Sequence, residues 1–320
     1  MERVSKLNTD SPIGYRLGAW AQERFEPENA VLFFVLYAAA LLLGRSVVTS
    51  GPIEVRVADL VGFIAVWSFF LMLRVFDEHK DYDLDCHNHP HRVLQSGLIT
   101  LGHLKALGLL AIAAQVGASV YLDRGLGSIS TAWLAVMAWS CLMAVEFFCG
   151  EWLERRLVLY AVSHMVVMPM ALVWMAQMGA GAAQLPMSIG WLAALSFLTG
   201  ASFEVARKMK APEDERETID SYTKALGVAW APLVVLSLLV GATIVLTVVI
   251  SGIFDTAMSG YWYVIIVAPL VPAAWALLRF RRAPSAAAGK LCEAMVAVVM
   301  LSGYLGLLVA IFLERGFAWS

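Results

Sequence analysis

Long apolar runs dominate this sequence and limit the folds that are open to it. Hydrophobic residues make up 60% of the chain and charged residues only 15%, against about a quarter charged in a typical soluble domain. Nine windows are long and apolar enough for a helix to cross a bilayer. They are residues 30–49, 58–76, 103–122, 128–149, 157–178, 187–204, 227–251, 261–279 and 291–313. The sequence therefore predicts an all-α polytopic membrane protein, with about nine transmembrane helices around a central cavity.

The basic residues between these windows predict the orientation of the chain. Every second connection, beginning with the N-terminus, is rich in Lys and Arg, whereas the others hold few. By the positive-inside rule the basic set is cytoplasmic, so we expect a cytoplasmic N-terminus. Two polar segments, 77–102 and 205–226, then lie on the cytoplasmic side of a single transmembrane domain that covers residues 1–320.

The expected location is the cell membrane, plasma or inner, with the chain crossing the lipid bilayer several times and its active site on the cytoplasmic side. The formal net charge is −2, which gives no electrostatic basis for binding nucleic acid.

The first polar segment begins with regularly spaced carboxylates. Asp77, Asp81 and Asp85 recur every four residues, and Glu78 follows the first of them. In a helix this spacing places the three aspartates on one face, about 6 Å apart along the axis. Left alone they would repel one another and retain protons. Mg²⁺ or Ca²⁺ relieves that repulsion, and Mg²⁺ usually takes its remaining ligands from water and substrate phosphates. The pattern predicts a phosphate-bearing substrate where lipid meets water.

A short segment with one arginine follows these carboxylates. Arg92 and Leu94 precede Ser96 and Gly97, a pair typical of a turn. Thr100 comes next and has the chemistry of a helix N-cap. Arg92 is a candidate contact for phosphate.

The two stretches together resemble the UbiA superfamily of intramembrane prenyltransferases. That family's first motif is Asn-Asp-x-x-Asp-x-x-x-Asp, followed by an Arg-Pro-Leu-Pro-Ser-Gly segment. Asp81 and Asp85 match the motif, whereas Asp77 stands in place of its Asn and Glu78 in place of its first Asp. The resemblance implies nine transmembrane helices, Mg²⁺ as cofactor, and catalytic roles for Asp77, Asp81 and Asp85.

The family also has a second acidic motif after the sixth span, commonly Asp-x-x-x-Asp. Here Glu204 is followed four residues later by Lys208 and not by an acid, so the motif is altered. The metal ligands that the resemblance implies are Asp77, Glu78, Asp81, Asp85, Glu204, Glu213, Asp214 and Glu217. The cations expected to bind diphosphate are Lys80, Arg92, Arg155, Arg207 and Lys208.

Two ionisable residues lie inside apolar windows. Glu146 is an acid within a predicted span. Because a charged residue inside a membrane is costly, we treat Glu146 as a candidate functional residue. His164 makes either an interhelical hydrogen bond or a substrate contact.

We therefore expect Mg²⁺-dependent transfer of a prenyl group from an allylic prenyl diphosphate to an aromatic or other small-molecule acceptor within the membrane. Two other functions remain open, namely a transporter or metal-binding membrane protein, and a CDP-alcohol-type phosphotransferase, whose aspartate pattern is matched only partly. A family member without ordinary activity is a third alternative, because the second acidic motif is altered.

Overall fold

The computed structural model describes residues 7–215 and 221–319, and most of them are helical. The helices are α1 (Ile13–Arg24), α2 (Asn29–Ser46), α3 (Asp59–Lys80), α4 (Tyr82–Asn88), α5 (Leu101–Asp123), α6 (Ser128–Ala144), α7 (Gly150–Glu154), α8 (Leu157–Met165), α9 (Val167–Ala180), α10 (Gly190–Arg207), α11 (Tyr222–Leu226), α12 (Ala231–Ser251), α13 (Gly260–Val267), α14 (Leu270–Arg282) and α15 (Ala286–Arg315). Two short strands, β1 (Ile53–Val55) and β2 (Phe317–Trp319), pair in parallel.

Eight helical segments of the described residues are long and apolar enough to cross a membrane. Five of them are the single helices α2, α3, α5, α12 and α15, and the others are α8 with α9, α10 with the turn before it, and α13 with α14. Helix α6 is apolar as well, but its 17 residues fall short of a typical span. The predicted all-α, multi-pass membrane fold is confirmed, whereas the count of nine helices and the cytoplasmic N-terminus stay predictions.

Local sequence signals explain several helix boundaries. Thr100 caps α5 as predicted, because its hydroxyl accepts a hydrogen bond from the backbone N–H of His103 at 3.3 Å. Pro269 lies at the break between α13 and α14, where a residue without a backbone N–H interrupts the helical hydrogen bonds. The predicted window 128–149 is not one continuous helix. Helix α6 ends at Ala144, because the residues that follow leave the right-handed helical conformation.

Helices α2 and α9 cross so closely that two glycines are required. A Cβ atom on Gly44 would lie 2.0 Å from the backbone oxygen of Ala176, and one on Gly179 would lie 1.9 Å from that of Leu41. Both distances are far below van der Waals contact, and the atoms in the way belong to the backbone. Small residues let membrane helices approach closely, which matters because packing replaces the hydrophobic effect between helices in lipid.

A buried ion pair lies beside this crossing. Arg45 is 3% exposed, and its guanidinium donates to both carboxylate oxygens of Asp59, at 2.7 and 3.0 Å. It also donates to the backbone carbonyls of Gly179 and Glu54. This pair connects α2, the start of α3 and the end of α9. The acidic segment lies at the opposite end of α3.

We expect Gly44→Ala to lower the thermal unfolding midpoint by several degrees, because overpacking at a rigid contact costs about 1–3 kcal/mol or more. Thermal unfolding of the purified protein in detergent measures the effect. Gly117→Ala in α5 is the matched control, since its Cβ meets nothing within 4 Å and alanine favours a helix. Equal melting of the two variants would contradict the close crossing.

Candidate active site

The carboxylates of the first polar segment follow one nearly continuous helical path. Helix α3 ends at Lys80 and α4 begins at Tyr82, with Asp81 between them. The helical hydrogen bonds continue across this junction, from the N–H of Asp81 to the carbonyl of Asp77 at 2.9 Å and from the N–H of Asp85 to the carbonyl of Asp81 at 2.8 Å. The structure therefore places the three aspartates at successive turns.

Arginine side chains neutralise two of these acids. Glu78 is 1% exposed, and its Oε1 accepts hydrogen bonds from Arg24 at 2.6 Å and from Arg74. Asp85 accepts from Arg92 at 2.6 Å and from Arg24 at 3.4 Å. Arg24 thus bridges both acids and ties α1 to the end of α3. A buried carboxylate is stable only with such partners, so Glu78 and Asp85 hold arginines in place.

The other two carboxylates have no hydrogen-bonded counter-ion in the described part of the chain. The nearest cation to Asp77 is Arg74, at 3.9 Å, and the Asp77 side chain is 49% exposed. Asp81 makes no side-chain hydrogen bond or ion pair there. Partial burial raises the pKa of the Asp81 carboxyl above its ordinary value, and the negative charge of Asp85 adds to this, although Lys80 opposes it. Asp81 is therefore a carboxylate that gains from binding a cation.

The second polar segment brings cations to the same place. Glu204, near the end of α10, binds Arg207 at 2.5 Å and Lys208 at 2.7 Å. Arg207 interacts electrostatically with Asp77, and Lys208 with Asp81. Charged side chains at the ends of α3 and α10 are therefore within electrostatic range of one another, although they are more than a hundred positions apart in sequence. Glu204 compensates part of the charge of these two cations, and Glu293 also acts on Arg207.

The later acids of the second segment lie in a different environment. Glu213 and Asp214 are exposed, on a short 3₁₀ turn. Glu217 lies outside the described residues. Glu215, which the sequence did not single out, accepts a hydrogen bond from the Ser221 hydroxyl at 2.5 Å and so helps to fix the start of α11.

A cavity of about 730 Å³ opens beside the second segment. Charged residues of both signs line it: Arg207, Lys208, Lys210, Glu213, Asp214, Glu215, Lys290 and Glu293. It is a polar space lined by the second segment and by the start of α15.

The donor set fits Mg²⁺ that is held partly by a substrate. Across residues 7–215 and 221–319, no three His, Cys, Asp or Glu side chains form a group that could hold a metal alone. Mg²⁺ does not need such a group, because it is commonly bound by one or two carboxylates with water and phosphate oxygens completing the shell. Asp77 and Asp81 are the carboxylates that would hold it.

Lys80 pairs with other groups, although its charge also acts on both carboxylates. Its ammonium lies 2.7 Å from the hydroxyl of Tyr160 and 3.0 Å from Oε1 of Glu146. The Tyr160 hydroxyl in turn donates to the same Glu146 oxygen at 3.2 Å, and the Tyr160 ring stacks on His164 with a centroid distance of 4.0 Å. We call these four residues the Lys80 cluster. It brings both intramembrane ionisable residues of the sequence analysis together with the first acidic segment.

Some candidate residues lie elsewhere, and some residues of the site were missed. Arg155 is a surface side chain, 78% exposed and 4.0 Å from Glu151. The sequence analysis overlooked Arg74 and Tyr160. Arg74 had a usable signal, since it is the lone basic residue of the window 58–76. Tyr160 had none, because a tyrosine in an apolar window is ordinary.

Comparison with known proteins identifies the fold and the family. The sequence profile of the UbiA prenyltransferase family matches residues 31–297, which confirms the resemblance. A solved structure of digeranylgeranylglyceryl phosphate synthase is 16% identical, with a TM-score of 0.64 over 93% of this chain and 99% of that one. A UbiA homolog from Aeropyrum pernix K1 is 15% identical, with a TM-score of 0.59 over 86% and 97%. These structures show a shared fold. No curated protein sequence matches.

We expect Asp81→Asn to raise the thermal midpoint by about 2 °C in the absence of Mg²⁺ at neutral pH. The raised pKa means that the native state holds this proton more tightly than the unfolded chain does. Stability therefore falls as pH rises from the ordinary aspartate pKa through the raised one, and asparagine removes that loss. Melting curves in detergent with chelator, at about pH 5 and about pH 7.5, measure it.

Asp83→Asn, an exposed aspartate on α4, is the matched control and should leave the midpoint unchanged. A midpoint for Asp81→Asn at or below that of the wild type at the higher pH would show that the Asp81 charge is not destabilising.

Proposed function

Because the chain belongs to the UbiA prenyltransferase family, we propose that it transfers a prenyl group from an allylic prenyl diphosphate to an aromatic or other small acceptor within the membrane, with Mg²⁺ as cofactor. The expected enzyme class, prenyltransferase, is confirmed at the level of the family, which sets aside the transporter and phosphotransferase alternatives. The observation that supports the metal and the donor is that Asp77 and Asp81 have no hydrogen-bonded counter-ion among residues 7–215 and 221–319.

In this proposal the two free carboxylates would hold the metal, which would supply charge neutralisation for the departing diphosphate. Asp77 and Asp81 lie one helical turn apart, so their carboxylates lie on the same face of the helix. Asp85 takes one N–H group of Arg92. A guanidinium has five N–H donors, so Arg92 retains donors for phosphate oxygens.

The cations of the second segment share the charge of the leaving group. Arg207 and Lys208 interact electrostatically with the free carboxylates, and Glu204 orients both cations. Preorganised charges of this kind stabilise a developing anion without reorganising during the reaction. Metal binding by Glu204, Glu213, Asp214 and Glu217, and diphosphate binding by Arg155 and Lys80, remain predictions from the resemblance.

The membrane supplies the dry environment that the chemistry requires. Loss of diphosphate leaves an allylic cation, which water would consume. We propose that the site opens on the cytoplasmic side of the plasma or inner membrane, since the basic connections lie at that end under the positive-inside rule. The polar segments 77–102 and 205–226 would then belong to one transmembrane domain spanning residues 1–320.

We expect Asp81→Asn and Asp77→Asn each to reduce prenyl transfer by at least about 100-fold, because each removes a charge that holds the metal and the leaving group. The assay supplies Mg²⁺, a panel of labelled prenyl diphosphates and native lipid extract to the protein in nanodiscs, and mass spectrometry identifies the products. Chelation of Mg²⁺ should abolish transfer by the wild type.

Asp83→Asn again serves as the control and should retain wild-type turnover. Wild-type rates in Asp81→Asn, or transfer that persists fully after chelation, would refute the role of the metal. A wild-type protein that binds no prenyl diphosphate would favour a family member without ordinary activity.

A further inference from the structure

The backbone is strained where the Lys80 cluster meets the end of α6. Glu146, Phe147 and Phe148 have φ angles of 51°, 52° and 57°, so three consecutive non-glycine residues adopt the left-handed conformation. Each such residue costs about 1–3 kcal/mol, and strain of this kind concentrates at functional sites. It turns the chain out of α6 and sets the Glu146 carboxylate against α8 and the end of α3.

Only one oxygen of this carboxylate is used within the described chain. Glu146 Oε1 receives both the Lys80 ammonium, at 3.0 Å, and the Tyr160 hydroxyl, at 3.2 Å. Oε2 is buried and has no hydrogen-bond partner there. A buried carboxylate oxygen without a hydrogen-bond donor raises the free energy of the folded protein. Oε2 is therefore available to accept a hydrogen bond from a ligand.

His164 offers a second buried acceptor in the same cluster. Its Nδ1 lies 2.9 Å from the backbone carbonyl of Tyr160. A carbonyl only accepts, so Nδ1 carries the hydrogen and Nε2 keeps its lone pair. The Ser163 hydroxyl, 3.3 Å from Nδ1, is compatible with this because it donates to the same carbonyl. Nε2 is buried and has no partner among the described residues. The ring is held between Tyr160 and Phe147.

We propose that Glu146 Oε2 and His164 Nε2 bind the prenyl acceptor and select a neutral, hydroxyl-bearing one, such as an alcohol or a phenol. This inference rests on the proposed function. Both free atoms accept hydrogen bonds, so the ligand must donate. The positive charge of Lys80 is compensated by Glu146, so the cluster has no charge left to bind an acceptor through a carboxylate.

The same geometry provides for the proton that the acceptor releases. The bond from the allylic carbon to the diphosphate oxygen breaks first, and the acceptor oxygen then forms a bond to the resulting allylic cation. The electron pair leaves with the diphosphate, and the hydroxyl proton passes to His164 Nε2.

Binding to matched probes tests the selectivity directly. The protein is loaded with Mg²⁺ and an unreactive prenyl thiolodiphosphate, and the affinities of aromatic and lipid alcohols are compared with those of the carboxylates on the same scaffolds. We expect the wild type to favour the hydroxyl member of each pair by at least about 10-fold. Stronger binding of the carboxylates, or binding of no hydroxyl probe, would overturn the proposal.

Variants separate this site from the donor site. Glu146→Gln and His164→Gln should each weaken binding of the hydroxyl probe by about 10-fold or more while leaving the affinity for the thiolodiphosphate within about 2-fold. Glu151→Gln, the same change at a carboxylate that is 94% exposed, should alter neither affinity. A parallel loss of donor affinity would assign the cluster to the diphosphate and refute an acceptor role. Failure of the wild type to bind the thiolodiphosphate would count against the proposed function itself.

Discussion

Charge pairing at the end of α3 decides which carboxylates are free to act. A carboxylate in a poorly hydrated site is tolerated only with hydrogen-bonded counter-ions. Glu78 meets that condition through Arg24 and Arg74, and Asp85 meets it through Arg92. These pairs fasten α1, α3, α4 and the segment before α5 to one another. Because they engage the nearby arginines, Asp77 and Asp81 are left as the acids that a cation can reach.

Charge pairing also organises the second polar segment, but there one acid pairs with two cations. The second acidic motif of the family commonly has an acid four residues after its first, and this chain has Lys208 at that position. Residues three and four apart on a helix are neighbours, so Glu204 pairs with both Arg207 and Lys208. The segment therefore presents fixed cations toward the free carboxylates. In the proposed reaction these cations take up part of the diphosphate charge that a metal at an acidic motif would otherwise carry.

The sequence was informative where the information is local. The four-residue spacing of the aspartates, the Thr100 cap and eight of the nine apolar windows depend on neighbours along the chain, and the structure has each of them. Ion pairs between residues that are far apart in sequence could not be predicted. Nothing near Glu78 indicates that Arg24, 54 residues earlier, is its partner. The prediction of one continuous helix over residues 128–149 was wrong for another reason. Composition shows how apolar a segment is, but it does not show whether the helix is continuous.

The position of Lys80 joins the two proposed binding sites. Lys80 and Asp81 are adjacent, so their Cα atoms are about 3.8 Å apart. Lys80 pairs with Glu146 and Tyr160, whereas Asp81 pairs with neither and is subject to the charges of Lys80 and, to a smaller extent, Lys208 of the second segment. One peptide unit thus separates the carboxylate proposed to hold the metal from the cluster proposed to hold the acceptor. A transfer reaction needs its two substrates in contact, and the end of α3 meets that need by presenting consecutive side chains to different partners.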